Sequence, residues 1–399
     1  MMCQNSMWAV VLSAKATKIA ASVFFVTVLA LLTFGFVMLA STSTPFAYRG
    51  DAFYIAIRQA LWLGIGLVAC VATARVDYRH YRKFAWPLFF AAVFLLIGVL
   101  VLGKRINGAI RWYAVGPWRL QPSEFAKYVL VIVLAFWLEQ TQRRPKGQLR
   151  PRIQHWWWAV FAPLVITSGL ALLILKEPDF GTAVLLFAVT LVMMWIGGVP
   201  WPWMAAIVGA CLLCIAAALA AIFNFGMFHE YYQVQRLIHW WQGEDLQGSN
   251  YQQFMAMLAF GVGATEGKGL GNSIMKMAYL PEAHTDFILP IIGEELGLVA
   301  TLAVVVAFAV LVISGLQIAS RAPDLFGWLL GCGIMAIIGL QVIINIAVVT
   351  NVIPNKGMAL PFISYGGSNL VMTLAGVGVI FSIFRQGQTR PLDLLKNGA

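Results

Sequence analysis

Charge is scarce in this sequence. Only 11% of its 399 residues are Asp, Glu, Lys or Arg, while 61% are hydrophobic and the mean hydropathy is +0.82. A soluble domain carries roughly 25% charged residues, so a water-soluble fold is excluded. Acidic residues are the scarcer sign, 16 against 27 lysines and arginines, for a formal net charge of +11. The five cysteines carry little information. Cys3 lies in the N-terminal tail, and Cys70 and Cys332 fall in apolar blocks. Cys211 and Cys214 form a C-x-x-C with apolar flanks and neither a second pair nor a nearby histidine, so they read as small packing residues rather than a metal or redox site. Internal repeats, low-complexity tracts and a second soluble domain are also missing.

What is abundant is apolar sequence in blocks of about twenty residues, the length a helix needs to cross about 30 Å of hydrocarbon. Hydropathy gives about ten spans, near 20–40, 54–74, 84–102, 124–139, 156–175, 181–198, 201–223, 286–314, 326–349 and 367–384. The expected fold is an all-α polytopic membrane domain over 1–399, with a large extracytoplasmic loop at about 224–285 between spans seven and eight. The first block follows Lys15 and Lys18, is long for a signal peptide and lacks a clear cleavage site, so a retained signal-anchor is expected. Arg75, Arg79, Arg82 and Lys83 in the second connection, and Arg143, Arg144, Lys146, Arg150 and Arg152 in the fourth, mark the cytoplasmic side. Both termini, with tails of about 1–18 and 386–399, then lie in the cytoplasm.

The outer connections should be poor in cations, yet Lys104, Arg105, Arg111, Arg119, Arg236, Lys268, Lys276 and Lys356 all fall there. A bound polyanion such as a pyrophosphate supplies one reason. Lipid headgroups, or salt bridges with Glu230, Glu244, Asp245 and Glu266, supply another. Residues 108–121 interleave aromatics and arginines, as suits a segment lying at the membrane interface.

Several motifs fail on inspection. The stretch 261–273, GVGATEGKGLGNS, lacks the first glycine and the final hydroxyl of a phosphate loop and reads as a glycine-rich hinge. HEYYQ at 229–233 is no zinc-protease motif, and SYGGS at 364–368 is no nucleophile elbow. Carboxylates remain. Asp286 is expected at the wet mouth of the eighth span, with Glu294 and Glu295 deeper on the same helix and rotated by about 80° and 180° from it. Three carboxylates so placed cannot line one site. For Glu294 and Glu295 an internal ion pair and a function are both open. Ser123 can cap the fourth span, Glu124 and Lys127 make an i,i+3 pair inside it, and KEPDFG at 176–181 is a tight charged turn. Pro354, Pro361 and Gly366-Gly367 interrupt the entry to the last span, as in broken helices that line cavities.

Four blocks, GAIRWYAVGPWRLQPSEFAKY at 108–128, EPDFGTA at 177–183, YLPEAHTDFILPIIGEELG at 279–297 and LPFISYGGSNL at 360–370, resemble the SEDS family (shape, elongation, division and sporulation), in order and over nearly the whole chain. The wording GPWRLQPSE, PEAHTDF and Pro354-Asn355-Lys356-Gly357 looks closer to the FtsW-like division branch than to the RodA-like elongation branch. Asn351, Asn355 and Asn369 depart from the family's commoner residues. The resemblance implies a glycosyltransferase of the bacterial inner membrane that polymerises lipid II into glycan strands on the outer face. It implies as partners a cross-linking class B penicillin-binding protein, other division proteins and membrane lipids, and no nucleic acid. The family's essential aspartate matches Asp286, its QPSE-x-x-K motif matches Gln121 to Lys127, and the arginine of its G-A-x-R-W block matches Arg111.

The chemistry expected of such an enzyme is direct displacement at an anomeric carbon with inversion. Pyrophosphate leaves readily, so one base and several cations suffice, whereas retention would call for a carboxylate nucleophile. Asp286 is the expected base and Arg111, Lys127 and Lys276 the expected phosphate ligands; Glu124, His284, Ser364 and Ser368 are further candidates for substrate contact. A divalent cation such as Mg can assist the leaving group, though no ligand cluster demands one. Rival readings are a lipid II flippase, a non-catalytic scaffold for a penicillin-binding protein and, without the resemblance, an ion-coupled transporter.

Overall fold

The computed structural model describes residues 2–43, 54–106, 109–115, 118–143, 152–153, 156–225, 232–242 and 250–396. A helix covers each of the ten expected segments: α1 (Met2–Thr42), α2 (Tyr54–Arg75), α4 (Ala85–Leu102), α5 (Pro122–Thr141), α6 (Trp156–Lys176), α7 (Phe180–Ile196), α8 (Trp201–Phe225), α11 (Ile288–Ala319), α12 (Leu325–Val349) and α13 (Gly367–Lys396). Between them stand the short α3 (Arg79–Lys83) and two further helices, α9 (Tyr232–Gln242) and α10 (Tyr251–Gly263). Among the described residues, eight helices are long and apolar enough to cross a membrane. Of the other two, α7 is apolar but has only 17 residues, and α5 carries Glu124, Lys127 and Glu139. Those charges are tolerable because α5 is central: Glu124 and Lys127 are buried with most of its apolar side chains. The exposed α8 is the opposite case, with 6% of its most apolar stretch buried.

The stretch expected as a long loop is ordered where it is described, holding α9, α10 and a π-turn at Met275–Tyr279. Glu230, Glu244 and Asp245 lie outside the described residues, as do Gly108, Arg144, Lys146 and Arg150, and nothing is described of the Cys3 and Arg236 side chains. Three short strands, β1 (Lys104–Ile106), β2 (Ala109–Val115) and β3 (Trp118–Leu120), pair antiparallel in the order β1-β2-β3. A second pair, β4 (Gln142–Arg143) and β5 (Arg152–Ile153), follows α5.

Two close approaches shape the bundle. Along the α2–α13 seam, a Cβ on Gly378 would lie 2.2 Å from the Cys70 carbonyl, so the helices meet backbone to backbone. The other is a break in α11 at Gly297, which adopts φ 77°, ψ −175°. Such a break leaves backbone groups unsatisfied, which apolar surroundings do not tolerate. The glycine-rich stretch supplies the partners: Lys268 N donates to Glu294 O (2.9 Å), Gly269 N to Glu295 O (2.8 Å), and Leu298 N to Ala264 O (2.9 Å). The segment expected as a hinge is thus a backbone splint on a broken helix.

Candidate active site

Asp286 lies two residues before α11, not on it. Its backbone is fixed by the buried Asn345 of α12, whose Nδ2 donates to the Asp286 carbonyl at 2.9 Å and to the Met358 carbonyl at 2.7 Å. This draws the connection between α12 and α13 against the carboxyl group. Gly357 in that connection has φ 59°, and a Cβ there would lie 3.1 Å from Asp286 Oδ2. Glycine takes that conformation without strain and leaves the carboxyl group its room.

Arg111 comes from β2. Its Nε donates to the Glu177 carbonyl at 2.9 Å, and an Nη2–H donates to the Pro178 carbonyl. Both acceptors belong to the turn between α6 and α7, and that turn is itself pinned. Asp179 caps α7 by accepting from Thr182 N (3.2 Å) and from the Thr182 hydroxyl (2.8 Å), while Gln121 Nε2 donates to it at 3.2 Å. Lys356, beside Gly357, places its ammonium 4.9 Å from the centre of the Phe180 ring at the start of α7.

Burial raises the Asp286 pKa to about 7; Glu282 and Asp179 push the same way, and Arg111 opposes them. Burial also raises Glu177 to about 8, with Asp179 adding and Arg111 opposing. It lowers both Lys356 and His284, the latter against an opposing pull from Glu282. A carboxyl group that exchanges its proton near neutrality thus sits close to a guanidinium bonded to neutral carbonyls.

The other expected site residues are placed differently. Lys127 is buried, pairs with Glu124 Oε2 at 2.7 Å and donates to Gln341 Oε1 at 3.1 Å. Gln341 Nε2 donates in turn to the Ala359 carbonyl at 2.7 Å, so the pair ties α5 to α12 and its following connection. Lys276 is buried in a separate network, donating to Glu295 Oε1 (2.8 Å), Gly271 O (2.7 Å) and Ser41 Oγ (3.1 Å). Glu294 accepts from the Ser273 hydroxyl and from Ile274 N at 2.9 Å, with Lys268 3.8 Å away. For Glu294 and Glu295 the internal pairing therefore applies, although the two project in different directions from one helix. Ser364 Oγ accepts from Leu360 N (2.7 Å); Ser368 Oγ accepts from Gln121 N (3.0 Å) and donates to Arg119 O (3.2 Å). His284 shares the Asp286 turn, and its carbonyl accepts from Tyr365 N at 2.9 Å.

Glu177, Asn345 and Lys356 join this site without having been singled out from sequence. Lys356 and the charged turn at 176–181 were visible there as an outer cation and a structural turn, but nothing local connects them to Asp286. Among the described residues no three His, Cys, Asp or Glu side chains are grouped to hold a metal ion.

A family model described as cell cycle protein, FTSW_RODA_SPOVE, matches residues 21–389. The chain belongs to that family. Curated relatives include the probable peptidoglycan glycosyltransferase FtsW of Trichlorobacter lovleyi, 36% identical over 376 residues, which are 93% of this chain and 94% of the relative. The protein of the same description from Geobacter metallireducens is 36% identical over 89% of this chain and 92% of its own. Among solved structures, a chain described under structural coordination of polymerization and crosslinking by a peptidoglycan synthase complex superposes with TM-score 0.73 at 28% identity, covering 91% of this chain and 97% of that one. The rod shape determining protein RodA of Thermus thermophilus gives TM-score 0.64 at 26% identity, covering 91% and 95%. Family membership fits a polytopic helical membrane protein and accounts for the four blocks that meet around the Asp286 end of the bundle.

Proposed function

We propose that this chain is a peptidoglycan glycosyltransferase of the division branch, polymerising lipid II at the outer face of the inner membrane. The observation that carries the reading is Asp286, shifted to about 7 and within the field of Arg111, whose hydrogen bonds among the described residues go to carbonyl oxygens. In the displacement, an acceptor hydroxyl forms a bond to the anomeric carbon of the donor and gives its proton to the Asp286 carboxylate. The bond from that carbon to the phosphate oxygen breaks, and its electron pair leaves on undecaprenyl pyrophosphate. Arg111 and Lys356 face the developing negative charge, which is where fixed cations lower a barrier. A base with pKa near the working pH is half ready to accept and strong enough to do so. A pKa of about 7 also resolves the weakness of an ordinary aspartate in that role.

Ten crossings, cytoplasmic termini and an outward-facing site form one orientation, supported by the cations of α3 at the end of the bundle opposite Asp286. A class B penicillin-binding protein is the fitting partner, since a similar chain occurs in a complex that polymerises and crosslinks.

The test is polymerisation of labelled lipid II by the purified chain, with and without a class B partner, comparing wild type with Asp286→Asn. Glycan ladders from wild type that vanish in the folded variant support the assignment. Ladders retained by Asp286→Asn would falsify the base. No ladder even with a cognate partner, combined with lipid II transport across vesicles, would favour a flippase.

A further inference from the structure

Glu177 is an unusual residue within this turn. It is 0% exposed, and neither of its carboxyl oxygens has a hydrogen-bond partner among the described residues. Arg111 is beside it, yet the guanidinium takes the backbone carbonyls of Glu177 and Pro178 rather than the carboxyl group. A buried, unpaired carboxylate next to a guanidinium is a costly arrangement that bonding between them would relieve. A neutral carboxylic acid is much less costly to bury than a carboxylate, and the absence of a bond to the adjacent guanidinium fits it better.

We propose that Glu177 is a positioning residue that keeps its proton in the resting site, so that Arg111 stays un-neutralised for the diphosphate of the lipid-linked donor. This rests on the glycosyltransferase reading above and adds a residue to it. The groups that act on Glu177 are Asp179 on its own turn and Arg111 on β2, and Glu177 in turn acts on Tyr113 of β2. The adjoining Lys176 is exposed, and Tyr113 is engaged through its hydroxyl with the Leu95 carbonyl at 2.9 Å. Loss of the Glu177 proton places a full negative charge beside Arg111 and competes with the substrate's phosphates for the same guanidinium. Burial and Asp179, which raise its pKa to about 8, set the point at which this competition begins.

Two readouts test this. The first is equilibrium binding of undecaprenyl pyrophosphate to the full chain in nanodiscs across pH 6.5–9.5. Wild type is expected to lose affinity about tenfold above pH 8, while Glu177→Gln, which is permanently neutral, shows no such loss above pH 8. The second is polymerisation over the same range. Wild type should lose activity on the alkaline side through a rising KM with kcat little changed, Glu177→Gln should lose that alkaline limb, and Glu177→Asp should keep one. An alkaline limb that persists unchanged in Glu177→Gln would belong to the substrate or another group and would overturn the proposal. So would an equal loss of kcat at every pH in a Glu177→Gln protein that melts like wild type, since that marks a purely structural role. These failures are separable from failure of the enzyme assignment, because they are read in a protein whose Asp286→Asn control has already lost its glycan ladders.

Discussion

Two clusters of buried charge occupy neighbouring parts of this molecule, and they are built on opposite rules. In the splint along α11, Lys276 is matched by Glu295 at 2.8 Å, Lys268 lies 3.8 Å from Glu294, and backbone N–H groups and serines complete both carboxylates. Around Asp286, Arg111 is met by carbonyls, Glu177 by no hydrogen-bonding partner among the described residues, and Asp286 by a glycine backbone. Charges that complete one another hold a backbone in place and have nothing left for a ligand. Charges left incomplete raise the energy of the empty site and return that energy when an anion or a proton arrives. The difference separates scaffold from site more sharply than residue type does, since lysine and glutamate occur in both clusters.

The largest effect should come from Asp286→Asn, which removes the proposed base but keeps the side-chain volume. General bases contribute roughly 10²–10⁴-fold, so polymerisation should fall by about that factor with the thermal midpoint little changed. In wild type the acidic limb should follow Asp286. Activity rises with pH through about 7 as the carboxyl group loses its proton, and a pH profile of kcat/KM checks this. The same experiment on Glu295→Gln should show the reverse pattern, lost stability without a shifted profile. If instead the profile moved, the two clusters would be one site.

Lys276→Met is next. Breaking one side of a buried pair costs about 3–5 kcal/mol because the partner is left charged and alone. The expected result is a lower melting midpoint in detergent or nanodiscs, with residual activity in the surviving folded fraction. Gly297→Ala attacks the same splint through its backbone. At φ 77° an added Cβ would lie 2.3 Å from the Thr265 carbonyl. A strained backbone residue costs about 1–3 kcal/mol, which a smaller drop in the midpoint should record.

The spans were legible because twenty-residue apolar runs have few other uses. The partition of the charges was not. Lys127 and Arg111 stand in the same sequence block and look equally suited to phosphate, yet Lys127 is satisfied by Glu124 and by Gln341, 214 residues away. No local pattern announces that distant amide. The helical extrapolation from Asp286 to Glu294 and Glu295 also broke down, because Asp286 belongs to the preceding turn and one loop reaches both glutamates. Helix boundaries shift by a residue or two, and a shift of two rotates a side chain by about 200°. The cations in the connections expected outside divide in three dimensions: Lys268 and Lys276 meet Glu294 and Glu295, whereas Arg111 takes backbone carbonyls and Lys356 lies over the Phe180 ring.

The smallest predicted effect sharpens the comparison most. Arg111→Lys keeps the charge and removes the fork. Arginine fixes itself by donating from Nε and Nη2 to successive carbonyls, and lysine has one nitrogen with which to do so. If the site needs only a positive charge, the variant should match wild type. If the two carbonyls exist to aim the guanidinium, KM for lipid II should rise about tenfold, which is about 1.4 kcal/mol, with kcat changed less. Lys276→Arg in the splint provides the counterpart, because that lysine already binds three acceptors as a compact ammonium and its niche leaves little room for a planar fork. It should lower the melting midpoint and leave KM alone. Opposite responses to the same pair of residue types would establish that one cluster is tuned for aim and the other for closure.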